Sequence, residues 1–244
     1  MKRVEQLAPV LCIAVALFSF PIAASAAVQD ILDWFGGAQP RTTVVLVDAS
    51  GSIKPADREI YLQSLQAVGA TLAAGDRILV ARVGDQSRSD FRAASDITVK
   101  HTGIRLDEEE ALEKARADLS QRAAALIAPE NAKSTRIMET IAAAAETFGS
   151  FPRKNGYLLL LTDGVEESAT ANFARSAPNG AVIASVLQKA KKAGLVPDLQ
   201  GVNVSLVGAG GSHYAGIEQF WRAYFAETGA TIKSYGRLPY RGAD

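Results

Sequence analysis

Two runs of the chain constrain its fold more than any other feature. Thr42 to Val47 is an unbroken stretch of β-branched and aliphatic residues, and Tyr157 to Leu161 is a second such stretch. Runs of this length, without polar alternation, fit strands covered on both faces. Arg77 to Val83 reads the same way, Val202 to Val207 reads as a further strand, and Thr231 to Tyr235 as a last short one. Ser95 to His101 alternates, with Ile97 and Val99 apolar, which suits an edge strand with one wet face.

Helical segments separate the strands. Pro55 to Ala74 places Ile60, Leu62, Leu65, Val68 and Leu72 at helical spacing. Asp107 to Ala128 carries acids in its first turn, where the helix dipole favours them, and Pro129 ends it. Thr135 to Phe148 and Ala181 to Ala193 are further helices, the second stopped by Gly194. Tyr214 to Thr228 aligns Ile217, Phe220, Trp221, Tyr224 and Phe225 on one face, read as core. Such alternation predicts an α/β fold: a doubly wound, mostly parallel sheet with helices on both faces. Ligands of these sheets bind beyond the carboxyl ends of the strands, where strand order reverses.

The N-terminus reads as an address. Lys2 and Arg3 precede an apolar run from Leu7 to Phe20, Pro21 breaks it, and Ala24-Ser25-Ala26 offers a cleavage site. That layout predicts a signal peptide over 1–26 and a periplasmic or secreted domain. The alternative is an uncleaved anchor, the only route to membrane contact, since Leu7 to Val28 approaches spanning length. Residues 27–40 read as a lead with a helical turn around Ile31 to Phe35, residues 41–236 as the domain and 237–244 as a tail. The single cysteine, Cys12, lies in the apolar run, so no disulfide framework or thiolate metal cluster is available. The 26 basic and 26 acidic side chains balance, which argues against a nucleic-acid partner.

Three segments bring oxygen donors to strand ends. Asp48-Ala49-Ser50-Gly51-Ser52 follows the first strand, with Gly51 expected to fold the backbone tightly enough to aim both hydroxyls at one point. Lys133-Ser134-Thr135-Arg136-Ile137 opens a helix and offers the Thr135 hydroxyl. Leu161-Thr162-Asp163-Gly164 ends the strongest strand and offers the Asp163 carboxylate. Taken singly, each is as compatible with a turn or a helix cap. Oxygen-only donors suit a hard cation: magnesium, with manganese or calcium as alternatives.

In this order the segments resemble the von Willebrand factor type A (VWA) domain, over roughly Arg41 to Tyr235. The family's metal-ion-dependent adhesion site reads D-x-S-x-S, then a Thr before x-Ile, then an Asp in a hydrophobic-T-D-G context. Asp48, Ser50, Ser52, Thr135 and Asp163 match those five positions. The resemblance implies a six-stranded sheet with one antiparallel edge strand. It implies metal ligation by the two serines and the Thr, with the acids acting largely through water. It also implies binding without catalysis, the ligand being an Asp or Glu carboxylate of a protein partner.

Other readings stay open. A magnesium-dependent hydrolase, or a structural domain whose metal site stays unfilled, would use the same sheet. Asp48 as a phosphoryl acceptor is disfavoured because Ser50 stands where a second acid would be expected. Val207-Gly208-Ala209-Gly210-Gly211 lacks phosphate-loop spacing and reads as a tight turn, with His213 near the same rim. His101 and Glu108 to Glu110 read as solvated surface. The segment from Gly164 to Asn179 is either a rim that selects partners or a connector with a helical turn at Ala169 to Phe173.

Overall fold

The computed structural model describes residues 39–85, 88, 91–129, 132, 134–150, 155–209 and 214–241. The expected signal peptide, nearly all of the lead, Lys133, Gly210, Gly211 and His213 lie outside these residues, as do parts of the 85–90 loop and the end of the tail.

Six strands form one sheet: β1 (Thr42–Asp48), β2 (Arg77–Val83), β3 (Ser95–Thr98), β4 (Gly156–Leu161), β5 (Asn203–Val207) and β6 (Thr231–Gly236), in the order β3-β2-β1-β4-β5-β6. The β1–β2, β1–β4, β4–β5 and β5–β6 pairings are parallel, and β3 runs antiparallel to β2 at the edge. The sheet therefore has the expected α/β, doubly wound architecture, with β3 ending earlier than expected.

Successive side chains of a strand point to opposite faces, so each apolar run feeds two cores. Val44, Leu46, Leu158 and Leu160 face one core; Val45, Val47, Leu159 and Leu161 face the other. On the second face lie α1 (Pro55–Ala70) and α2 (Arg105–Leu126). The first face is covered by α3 (Ile137–Ala145), α4 (Gly180–Lys192) and α5 (Tyr214–Thr228). In α5, Ile217, Phe220, Trp221, Tyr224 and Phe225 are all buried, as their spacing requires. α4 is capped by Asn179, whose Oδ1 accepts the Val182 N–H at 3.0 Å, and ends in Lys189, Lys191 and Lys192, which complement the dipole. Among the described residues, no helix is long and apolar enough to cross a membrane.

Three expectations need correction. The buried stripe of α1 runs through Asp57, Tyr61, Ser64, Leu65 and Val68, while Ile60 and Leu62 are only partly buried. Polar members disguise this stripe: Asp57 pairs with Arg237 at 2.8 Å, and Ser64 Oγ accepts the Tyr240 N–H at 3.0 Å. The helix expected from Thr135 begins at Ile137. Thr135 exchanges both backbone hydrogen bonds with Glu167 (3.1 and 2.8 Å), so its carbonyl is not free for a helix, and Arg136, with ψ 69°, stands as the N-cap whose carbonyl accepts the Thr140 N–H at 3.1 Å. The expected helical turn at 169–173 is instead a small antiparallel hairpin, with bridges Thr135–Glu167 and Glu167–Asn172. Phe173 is buried edge-on against Phe220, ring centroids 4.7 Å apart.

Candidate metal centre

β2 and β4 flank β1 on opposite sides, so the connections leaving β1 and β4 part there. Asp48 is the last residue of β1 and Asp163 lies two residues beyond β4. The sequence order of strands thus delivers the two acids to one crevice.

Asp48 is 1% exposed and fixed on both oxygens. Oδ1 accepts the Ser50 N–H at 2.9 Å and Oδ2 accepts the Thr162 hydroxyl at 2.8 Å. The Thr162 oxygen accepts the Gly164 N–H in turn at 3.0 Å, which ties the turn after β4 to β1. Thr162 was legible only as context for Asp163; its signal, a buried hydroxyl beside a buried acid, needs the β1–β4 pairing. The Ser50 and Ser52 hydroxyls lie 3.0 Å apart, Ser50 buried and Ser52 exposed. A turn closed by the Ile53 N–H on the Ser50 carbonyl at 3.2 Å brings them together. The expected role of Gly51 does not hold: its φ is not positive and a Cβ there would meet nothing within 4 Å.

Asp163 is half-buried, and its Oδ1 accepts the Val165 N–H at 2.9 Å. Burial pushes its carboxyl up to about 6, and repulsion from Asp48, Asp57 and Glu167 adds to the rise. Burial likewise raises Asp48, against the pull of Ser50 and Thr162. Tyr61 stands among these acids, and burial with the fields of Asp48, Asp163 and Asp57 pushes its phenol upward. Low solvation raises all three groups, and the neighbouring acids add to the rise at Asp163 and Tyr61. Thr135 is buried and reaches this end of the sheet through its bridge to Glu167, four residues after Asp163.

Two carboxylates and three hydroxyls are a hard-oxygen donor set, which fits a magnesium-like cation. Among the described residues, no three His, Cys, Asp or Glu cluster to hold a metal, so a cation here would depend on the hydroxyls. His101 stands past the opposite end of β2, exposed and paired with Glu108 at 2.8 Å.

Glu166 was not singled out in sequence because Val165-Glu166-Glu167-Ser168 reads as polar loop. It is fully buried. Burial raises its carboxyl to about 8, against the Ser168 hydroxyl and the Met138 and Ile137 N–H groups. From about pH 4.5 upward an unfolded chain releases this proton while the folded chain keeps it. Folding stability from this group is thus present at low pH, declines above about 4.5 and is lost once pH passes about 8. In chelator, the urea midpoint should fall between pH 5 and pH 9, and Glu166→Gln should remove a few kcal/mol of that fall. Equal pH slopes in both proteins would show that Glu166 does not hold its proton.

No family model matches the chain, and no curated protein matches it. Among solved structures, a von Willebrand factor type A protein from Catenulispora acidiphila is similar at 16% identity and TM-score 0.51, over 83% of this chain and 40% of the other. The PilB minor pilin of Streptococcus sanguinis aligns at 14% identity and TM-score 0.48, over 82% of this chain and 58% of the pilin. The chain thus spans less than two thirds of either. The fold is VWA-like.

Proposed function

We propose that this chain is a cation-dependent binding module, not an enzyme, of the periplasm or the secreted space. Ser50, Ser52 and Thr135 would hold magnesium (or manganese or calcium), with Asp48 and Asp163 orienting its waters. When bound, the cation supplies a Lewis-acidic position for an Asp or Glu carboxylate of a partner protein. One observation carries the reading: at the switch point of the sheet, Asp48 accepts the Ser50 N–H next to the paired Ser50 and Ser52 hydroxyls, and Asp163 lies close enough for the Asp48 charge to raise it further. A buried and a half-buried acid side by side without a cation between them are costly, and a divalent ion would reverse that cost. Few charged ligands touch the ion in such a set, so it stays attractive to an incoming carboxylate.

The chain around the site would choose among acidic partners. Replacing 166–176 by a Gly-Ser linker is not a clean test, because Glu166, Ala171 and Phe173 belong to the core. The exposed arc 174–177 is the usable part. It leads to Pro178, whose carbonyl would lie 2.7 Å from a Cβ on Gly216, and so borders the start of α5. Capture from envelope extract with magnesium and with chelator tests the module. Capture should require magnesium and weaken about tenfold or more when 174–177 becomes Gly-Ser, with metal affinity within about twofold of wild type. Capture that ignores chelator would refute the metal's role. Mass spectrometry of the native protein checks the cleavage expectation, which requires an N-terminus at Ala27; Met1 or Lys2 there would mean an uncleaved anchor.

A further inference from the structure

Helix α3 lacks a cap of its own. Arg136 before it has φ −95° and ψ 69° and supplies no side-chain capping hydrogen bond. Ile137 and Met138 are both fully buried, so their N–H groups cannot turn to water. The acceptor comes from elsewhere in the chain: Glu166 Oε2 takes the Met138 N–H at 3.0 Å. The Glu166 backbone is itself fixed, because its carbonyl accepts the Phe173 N–H at 2.9 Å. Its neighbour Glu167 holds Thr135 through both backbone bonds. Adjacent residues of one hairpin therefore grip both the start of α3 and the residue two positions before it.

We infer that Glu166 is the positioning residue for Thr135, fixing where the 134–136 segment crosses the end of the sheet and so how far the Thr135 hydroxyl reaches. This rests on the metal-binding reading above. An apolar residue at 166 would pack more cheaply, but it would leave the Met138 N–H buried without a partner. Glutamine keeps an acceptor at the same reach. Aspartate keeps the acid but is one methylene shorter and withdraws from Met138.

The test is a double-mutant cycle on the mature chain, read by Mn2+ calorimetry and, without metal, by amide hydrogen exchange. Glu166→Gln should hold Mn2+ affinity within about threefold of wild type, and Glu166→Asp should weaken it about tenfold, the size seen when ligand-orienting groups are lost. In a Thr135→Ala background, Glu166→Asp should cost less than about twofold. In metal-free protein it should speed exchange at Thr135, Met138 and Glu167 while β1 and β4 stay protected. Glu166→Met, isosteric and without an acceptor, gives the same comparison if Glu166→Asp does not fold. An equal loss in the Thr135→Ala background would overturn the inference, as would full affinity with those amides opened. Absence of saturable Mn2+ binding in wild type would instead overturn the metal reading, and this inference with it.

Discussion

Asp48→Ala combined with Ser50→Ala is expected to weaken magnesium or manganese binding by about 100-fold or more, with the fold intact. The first change removes the acid that Thr162 and the Ser50 N–H hold in place. The second removes one of the two paired hydroxyls. Loss of a ligand and its orienting group together should exceed the roughly 10–100-fold typical of an outer partner alone. Stability should move little. Alanine at 48 leaves the Thr162 O–H and the Ser50 N–H without the acceptor they share, at a cost of about 1–3 kcal/mol. It also removes a buried acid whose charged form burial disfavours, an effect of opposite sign. Calorimetric titration beside urea unfolding reads both quantities. Equal metal affinity in the variant and wild type would sink the site assignment.

Gly208→Ala should be the most damaging single change in stability near this end of the sheet. Gly208 has φ +102°, which an L side chain rarely adopts. A Cβ there would sit 2.6 Å from the Tyr61 hydroxyl, 2.7 Å from its ring and 3.0 Å from the Thr162 carbonyl. Tyr61 is fully buried, so its ring has little room to retreat. Backbone strain of about 1–3 kcal/mol and overpacking of about 1–3 kcal/mol point to a loss near 3–4 kcal/mol. In a chain of this size that is roughly 10 °C in melting temperature. Gly51→Ala is the control: no clash and no positive φ, hence a change within about 1 kcal/mol. Similar melting temperatures for the two variants would contradict the account of Gly208.

The sheet was legible because its signal is redundant. Val44 to Val47 and Leu158 to Leu161 are apolar on both faces, and each helix between the strands carries its own period or stop. What escaped was set by long-range pairing. Thr135 has the local pattern of a helix start, but its backbone is claimed by Glu167. Asp57 and Ser64 look solvent-facing until Arg237 and Tyr240, far along the chain, return to cover them. Glu166 looks like loop until the start of α3 is seen to lack an acceptor. The five donor positions were legible as residue types, while Thr162 and Tyr61, which surround Asp48, were not, because only the β1–β4 register and the α1 stripe put them there.

Crystals of the protein grown with Mn2+ and measured at the manganese edge test the central claim most directly. The account predicts one anomalous peak beyond the ends of β1 and β4, about 2.1–2.2 Å from the hydroxyl oxygens of Ser50 and Ser52, with Thr135 alongside and the carboxylates of Asp48 and Asp163 reaching it largely through water. A peak ligated by other residues, or none at saturating Mn2+, would contradict it.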